Sequence, residues 1–121
     1  SIATLLPSLA GEGFSAGDAL YVKASDGKAY KASTLFSREQ ANILGVAKNG
    51  AASIDDPVTI VARGPFSDYT GLVPGSEYFL DVDGGKTITP PGGGGLYSVF
   101  IGTAISSTTM DIHPLPPTLT T

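Results

Sequence analysis

The chain has 121 residues, among them 16 Gly and 9 Pro, and only 15% of it is charged, with a formal net charge of −4. That much Gly and Pro argues against a helical protein, and 7 Lys and Arg without a run cannot supply the phosphate-neutralising footprint of a nucleic-acid binder. The absence of Cys removes disulfides, thiol catalysis, iron–sulfur clusters and cysteine zinc sites, and no stretch approaches the roughly 20 apolar residues of a membrane helix. The expectation is one weakly acidic domain, soluble and without a targeting signal, whose stability comes from packing a modest core.

Residues 1–10 carry Ile2, Leu5, Leu6 and Leu9 around Pro7, a residue that denies the segment a helix interior or a central strand. They predict an extended N-terminal arm. Gly17 to Val22 and Ala29 to Ala32 flank Ser25-Asp26-Gly27-Lys28, where Asp-Gly accepts the positive φ angles of a two-residue turn, and this predicts a hairpin. Thr34 to Asn42 holds Arg38, Glu39, Gln40 and Ala41 behind Ser37, a residue suited to cap one short helical turn.

Strands are predicted at Ile43 to Ala47, Val58 to Ala62, Glu77 to Val82, Lys86 to Thr89, Leu96 to Ala104 and Thr108 to Ile112. Their breaks fall at Asn49-Gly50, Asp55-Asp56-Pro57, Asp83-Gly84-Gly85, Pro90 to Gly95 and Ser106-Ser107. His113-Pro114-Leu115-Pro116-Pro117 can only be extended, and residues 113–121 make a Pro-rich C-terminal arm with Leu115 and Leu119.

Several pieces of the chain return at a fixed spacing. Gly13-Phe14-Ser15-Ala16-Gly17 is answered 58 residues later by Gly71-Leu72-Val73-Pro74-Gly75, and Ala19 to Val22 by Glu77 to Leu80. Asp26-Gly27-Lys28 is answered by Gly84-Gly85-Lys86 at the same offset, and Leu44 to Ala47 by Ile101 to Ala104 at an offset of 57. These coincidences imply duplicated β-units, about 13–62 and 71–112, within one β domain of residues 11–112; convergent Gly-rich turns are the alternative. The fold class expected is all-β: a compact barrel- or sandwich-like module with an internal duplication, at most one short helix, and two extended arms.

The candidates for chemistry are few. His113 is the single histidine, with Asp111 two residues before it on the same strand face, and no nucleophile is singled out to complete a triad. Asp81 and Asp83 before Gly84-Gly85 lack the ligand spacing of a calcium loop, and Asp55-Asp56 before Pro57 reads as a turn. Gly92 to Gly95 lacks the following Lys-Ser or Lys-Thr and helix of a phosphate cradle, and reads as a flexible loop. Most aromatic residues fall in strands and suit a core, whereas Phe66 and Tyr69 lie in a Gly- and Pro-bounded stretch, Gly64 to Tyr69, where loop aromatics anchor partners. The exposed-arm leucines would need covering, by addition to a neighbour's sheet edge for instance.

Ala16 to Val22, Asp26 to Ala32, Ile43 to Ala47, Pro57 to Val61, Gly71 to Leu80 and Gly102 to Ile105 resemble, in that order, a family of tailed-bacteriophage virion proteins. The family includes small capsid decoration (cement) proteins and related β-modules of head and tail fibres. The likeness spans about Gly11 to Pro114 and rests on glycine turns and apolar strands rather than reactive residues. It implies a homotrimer on the outer capsid surface of the virion, made in the host cytoplasm, with the major capsid protein as partner. It implies no enzyme activity, no cofactor or metal, and neither nucleic acid nor membrane as partner. Its role is mechanical, bridging capsid subunits. The contact residues expected are Ile2, Leu5, Leu6 and Leu9 first, because a core beginning near Gly11 leaves residues 1–10 without a partner inside the domain, with Phe66, Tyr69, Leu115 and Leu119 as further contacts. The alternative is a tail-fibre or tailspike β-module in which Phe66, Asp68 and Tyr69 begin a receptor or glycan site. A small hydrolase is the remaining class, and it needs a cleft that holds a carboxylate or His113 beside a second reactive group.

Overall fold

The computed structural model describes residues 2–90 and 96–120. In chain order the strands are β1 (Thr4–Leu9), β2 (Ala19–Val22), β3 (Ala29–Lys31), β4 (Gly45–Ala47), β5 (Pro57–Phe66), β6 (Glu77–Leu80), β7 (Lys86–Thr87), β8 (Tyr97–Ser98), β9 (Phe100–Ala104), β10 (Met110–Ile112) and β11 (Thr118–Leu119). One helical turn, α1 (Arg38–Ala41), lies between β3 and β4, and Ser37 caps it by accepting the Gln40 N–H at 3.2 Å. The predicted loop at Gly92 to Gly95 lies outside the described residues, as do Ser1 and Thr121 of the two predicted arms.

The fold is all-β. Among the described residues one antiparallel sheet of nine strands curls into a half-barrel in the order β3-β2-β4-β5-β10-β9-β6-β7, with β1 also on β5, and β11 pairs β8 in a small second sheet. β5 joins the two halves, because its N-terminal stretch pairs β4 and β1 while Gly64 to Phe66 pair Ile112 to Met110 of β10. Ala10 then bridges Ala29, and the Gly11 N–H donates to Ala29 O at 2.8 Å, so the first half closes on itself through β1. Inside it pack Ala10, Phe14, Leu20, Ala47, Val58 and Ile60; a larger core that includes Tyr21, Val61, Phe66, Tyr69, Leu80 and Ile101 lies between the halves.

The halves repeat one another in detail. Ala19↔Val46 and Leu20↔Gly45 in the first correspond to Glu77↔Thr103 and Tyr78↔Gly102 in the second. Gly17 and Gly75 both take positive φ, +91° and +83°, and donate to Ala47 O and Ala104 O at 2.8 Å each. Gly45 and Gly102 each leave no room for a Cβ, which would overlap Val61 O in one case and Asp111 O in the other.

Four local expectations need correction. Residues 4–9 are a sheet strand, not a free arm. Pro7 is tolerated because its partner Thr59 turns its own N–H to Asn49 Oδ1 (2.9 Å) and its O to the Lys48 N–H (2.8 Å), away from β1. The Pro7–Thr59 pair therefore exchanges no hydrogen bond, and the donor that proline lacks would have faced outward from the sheet edge. Second, Gly64 to Phe66 are strand and not loop, since β10 supplies a partner that no local signal announces. Third, the hairpin turn has four residues, Ala24 to Gly27, closed by the Lys23 N–H on Lys28 O at 3.0 Å, with Gly27 at φ +71°. Fourth, the C-terminal segment is tied down: Leu115 N–H donates to Phe100 O, Arg38 Nη1 to Pro117 O at 3.0 Å, and Pro117 is buried.

Candidate functional site

β1 presents its alternate residues to opposite sides. Leu6 and Ser8 sit opposite Ile60 and Val58 on the face of the small barrel core, and Leu5, Pro7 and Leu9 point the other way. Leu5 and Leu9 stay 44% and 46% exposed, and Ile2, just before the strand, is 95% exposed. With Pro57, the cross-strand partner of Leu9, they form an apolar ridge along a sheet edge. An open depression of about 270 Å³ lies at its Leu5 end, floored by Ala3, Val61 and Phe66 and flanked by Lys48 and Asp68. A second, of about 380 Å³, lies between Pro7 to Leu9 and the turn residues Asp26 to Lys28.

Of the expected contact residues, the structure brings Ile2, Leu5 and Leu9 to this surface and half-buries Leu6. Phe66 and Tyr69 do not belong to it as exposed anchors. Both are buried, packed edge to face with ring centroids 4.9 Å apart, and the Tyr69 hydroxyl donates to Gly17 O at 2.7 Å. Their placement follows from β5 continuing through Gly64-Pro65 into the core. Burial raises the Tyr69 phenol above its ordinary range, and Lys86 Nζ lies 4.3 Å from the ring centre, where burial lowers its ammonium.

Leu115 and Leu119 are exposed away from β1, Leu119 on the small β8–β11 sheet and Leu115 beside Phe100 of β9. There Tyr97 N–H donates to Thr34 O, which brings Leu35 and Phe36, the latter 72% exposed, towards β8 and β11. Sequence reasoning passes over Leu35 and Phe36, although two adjacent apolar residues before a capped helical turn are a readable signal.

The polar candidates resolve as turn chemistry. Asp56 Oδ2 accepts the Ala52 and Ser53 N–H groups, Asp55 pairs with Lys28 at 2.8 Å, and Asp81 N–H donates to Gly85 O to close the β6–β7 turn. His113 and Asp111 are exposed, and the His113 N–H donates to Ile101 O. Tyr30 donates to Asp26 in a short hydrogen bond, which holds the Asp26 carboxyl below its usual range and pushes the phenol up to about 12. Among the described residues no group of three or more His, Cys, Asp or Glu side chains could hold a metal ion. The arrangement suits contact with an apolar surface, with Lys48 and Lys28 beside the two ends of the ridge. No family model matches this chain, and no curated protein matches it.

Proposed function

We propose that the protein is a capsid decoration protein of a tailed-phage virion, binding the outer surface of the assembled head and bridging subunits of the major capsid protein. The observation that carries this reading is the apolar ridge of Leu5, Pro7 and Leu9 on a strand that, among the described residues, pairs β5 alone, in a chain whose other described apolar strand residues are largely turned inward. Water-exposed leucines held on a sheet, rather than on a loose tail, bind without a large ordering cost. Pro7 interrupts the outer row of backbone donors, so the contact works through side chains more than through an added strand. A protein that binds only the expanded lattice stabilises that state by linkage, which resists internal genome pressure. A receptor-binding fibre module has lost its main support, since Phe66 and Tyr69 are in the core.

The test is co-sedimentation with expanded empty capsids of the phage, comparing the natural chain with Leu5→Asp/Leu9→Asp. Removing residues 1–10 would be a poor test, because it would strip β1 from β5. The double variant is expected to keep its thermal midpoint and to lose capsid binding. Saturable binding that the double variant retains would remove β1 as the contact, and a natural chain that ignores capsids and coats host cells would overturn the decoration reading.

A further inference from the structure

Two antiparallel strands exchange main-chain hydrogen bonds in pairs. Where β4 runs out, that exchange is broken. Lys48 N–H donates to Thr59 O at 2.8 Å, but the Thr59 N–H goes to Asn49 Oδ1 at 2.9 Å. Asn49 Nδ2 donates to Pro57 O at 3.2 Å and to Gly50 O at 3.3 Å. The side-chain amide of Asn49 therefore takes the place of a main-chain peptide group beside β5, with its oxygen and both of its N–H groups engaged.

The next residue makes that amide a reactive one. Gly50 has no side chain to shield its nitrogen, both residues are exposed to water, and the Gly50 N–H has no hydrogen-bond partner among the described residues. In an unconstrained Asn-Gly pair this nitrogen attacks the asparagine Cγ: the new N–C bond forms, the Cγ–Nδ2 bond breaks, and the nitrogen's proton leaves with Nδ2 as ammonia. Water then opens the cyclic imide at one of its carbonyls and gives aspartate or isoaspartate, with nothing oxidised or reduced. The attack requires Gly50 N to stand about 3–3.5 Å from Cγ, over the face of the amide. A side chain held out on Thr59 and Pro57 must turn back on its own main chain to reach that geometry, and both contacts to β5 break first.

We propose that Asn49-Gly50 is a self-modification site gated by the fold, silent while β5 clasps the Asn49 amide and active in any copy in which that clasp is open. The products do not fit back. Aspartate sets a carboxylate oxygen against Pro57 O and Gly50 O, where Nδ2 donated. Isoaspartate also adds a methylene to the main chain just before Gly50, where a Cβ would already stand 3.1 Å from Phe14 O. Beside it, Phe14 N–H donates to Ala51 O at 3.0 Å and Ala51 N–H to Phe14 O at 2.9 Å, which seats Phe14 in the smaller core. A brief opening thus becomes a permanent change of charge and stability. Asn42, the chain's other asparagine, precedes Ile43, whose branched side chain crowds the attacking nitrogen, and it serves as an internal reference. This chemistry does not depend on capsid binding.

The experiment incubates the natural chain at mildly alkaline pH in native buffer and in concentrated guanidinium chloride, and follows loss of each asparagine by mass spectrometry of fragments and by anion exchange. Two hydrogen bonds must open, each worth a factor of about five, so Asn49 is expected to be lost about 30-fold more slowly in the folded chain, with Asn42 slow in both. Guanidinium below the unfolding transition is expected to raise Asn49 loss and Thr59 amide hydrogen exchange together. Thr59→Pro deletes the donor to Oδ1 and is expected to speed Asn49 loss in the folded protein; if that variant does not fold, the sub-denaturing series decides without it. The isoaspartyl chain, once refolded, is expected to melt below Asn49→Asp. A folded natural chain that loses Asn49 as fast as the unfolded one, Thr59 exchange that rises without Asn49 loss, or a folded Thr59→Pro no faster than the natural chain would overturn the gate. An isoaspartyl chain that melts with the natural one would overturn the one-way step.

Discussion

Gly45→Ala and Gly102→Ala test whether the duplicated strand contact carries the weight that the geometry gives it. A Cβ on Gly45 would overlap Val61 O and lie 2.8 Å from Val61 C, and one on Gly102 would overlap Asp111 O and lie 3.0 Å from Asp111 C. Carbon atoms rest at about 3.5–4.0 Å, so each substitution must push the paired backbones apart by about 1 Å. The obstruction is backbone and cannot swing aside. Overpacking of this kind costs about 1–3 kcal/mol, and about two ladder hydrogen bonds lost with it cost about 1 kcal/mol each. Each variant is therefore expected to lose about 3–5 kcal/mol, a large share of the ~5–15 kcal/mol that holds a domain. For a chain of this length that corresponds to a thermal midpoint lower by about 10–20 °C. Gly27→Ala is the control, since Gly27 has a left-handed φ but open space, and about 1–2 kcal/mol is the expected cost. Midpoints from differential scanning calorimetry decide the matter. If Gly45→Ala and Gly102→Ala fall no further than Gly27→Ala, the close approach is not what selects glycine at these two positions.

Tyr69→Phe leaves Gly17 O without its buried donor and is expected to cost about 1–3 kcal/mol in urea unfolding. Because burial raises the Tyr69 phenol, the folded state favours its neutral form; that contribution is complete below the ordinary value of 10.0 and is lost as pH rises beyond it. Tyr30, held up to about 12 first by its hydrogen bond to Asp26, acts in the same sense, whereas Lys86, lowered by burial, acts in the opposite one as pH approaches 10.5. Stability should therefore fall above pH 10.0 less steeply in Tyr69→Phe than in the natural chain, and equal slopes would contradict the assignment. Asn49 spans from β4 to β5, donating from Nδ2 to Pro57 O at 3.2 Å and accepting the Thr59 N–H at 2.9 Å. Asn49→Asp sets a carboxylate oxygen against the Pro57 carbonyl and is expected to lower stability by about 1–2 kcal/mol, more than a surface substitution. An unfolding midpoint equal to that of the natural chain would show that the bridge contributes nothing.

Much of the fold is written in short-range signals. Asp26-Gly27 marks the first hairpin, Ser37 marks the cap of α1, and the offsets of 58 and 57 mark units that share their turns and strand pairings. Each depends on properties of one or a few residues: the φ freedom of glycine, a hydroxyl placed for an N–H, an alternation of apolar side chains. Residues 1–10 and Gly64 to Tyr69 mislead for a common reason. Pro7 and Pro65 look like breakers locally, and only the partner strand decides whether a missing N–H matters. Thr59 turns its polar groups to Asn49 and Lys48, so Pro7 fits, and β10 takes up Gly64 to Phe66, so Phe66 and Tyr69 enter the core.

The candidate surface divides in the same way. The sequence names the leucines, because Leu5 and Leu9 flank a proline in a segment that precedes the repeated core, but not the ridge. That required β1 to be fixed on β5 in a register that sends Leu6 to one face and Leu5, Pro7 and Leu9 to the other. Composition and spacing determined that this is an all-β chain of two related units, since turn angles and side-chain alternation are local. Which edges are covered and which aromatic rings are buried were decided only by the pairing of segments distant in sequence, because exposure is a property of what a residue's neighbours in space leave open.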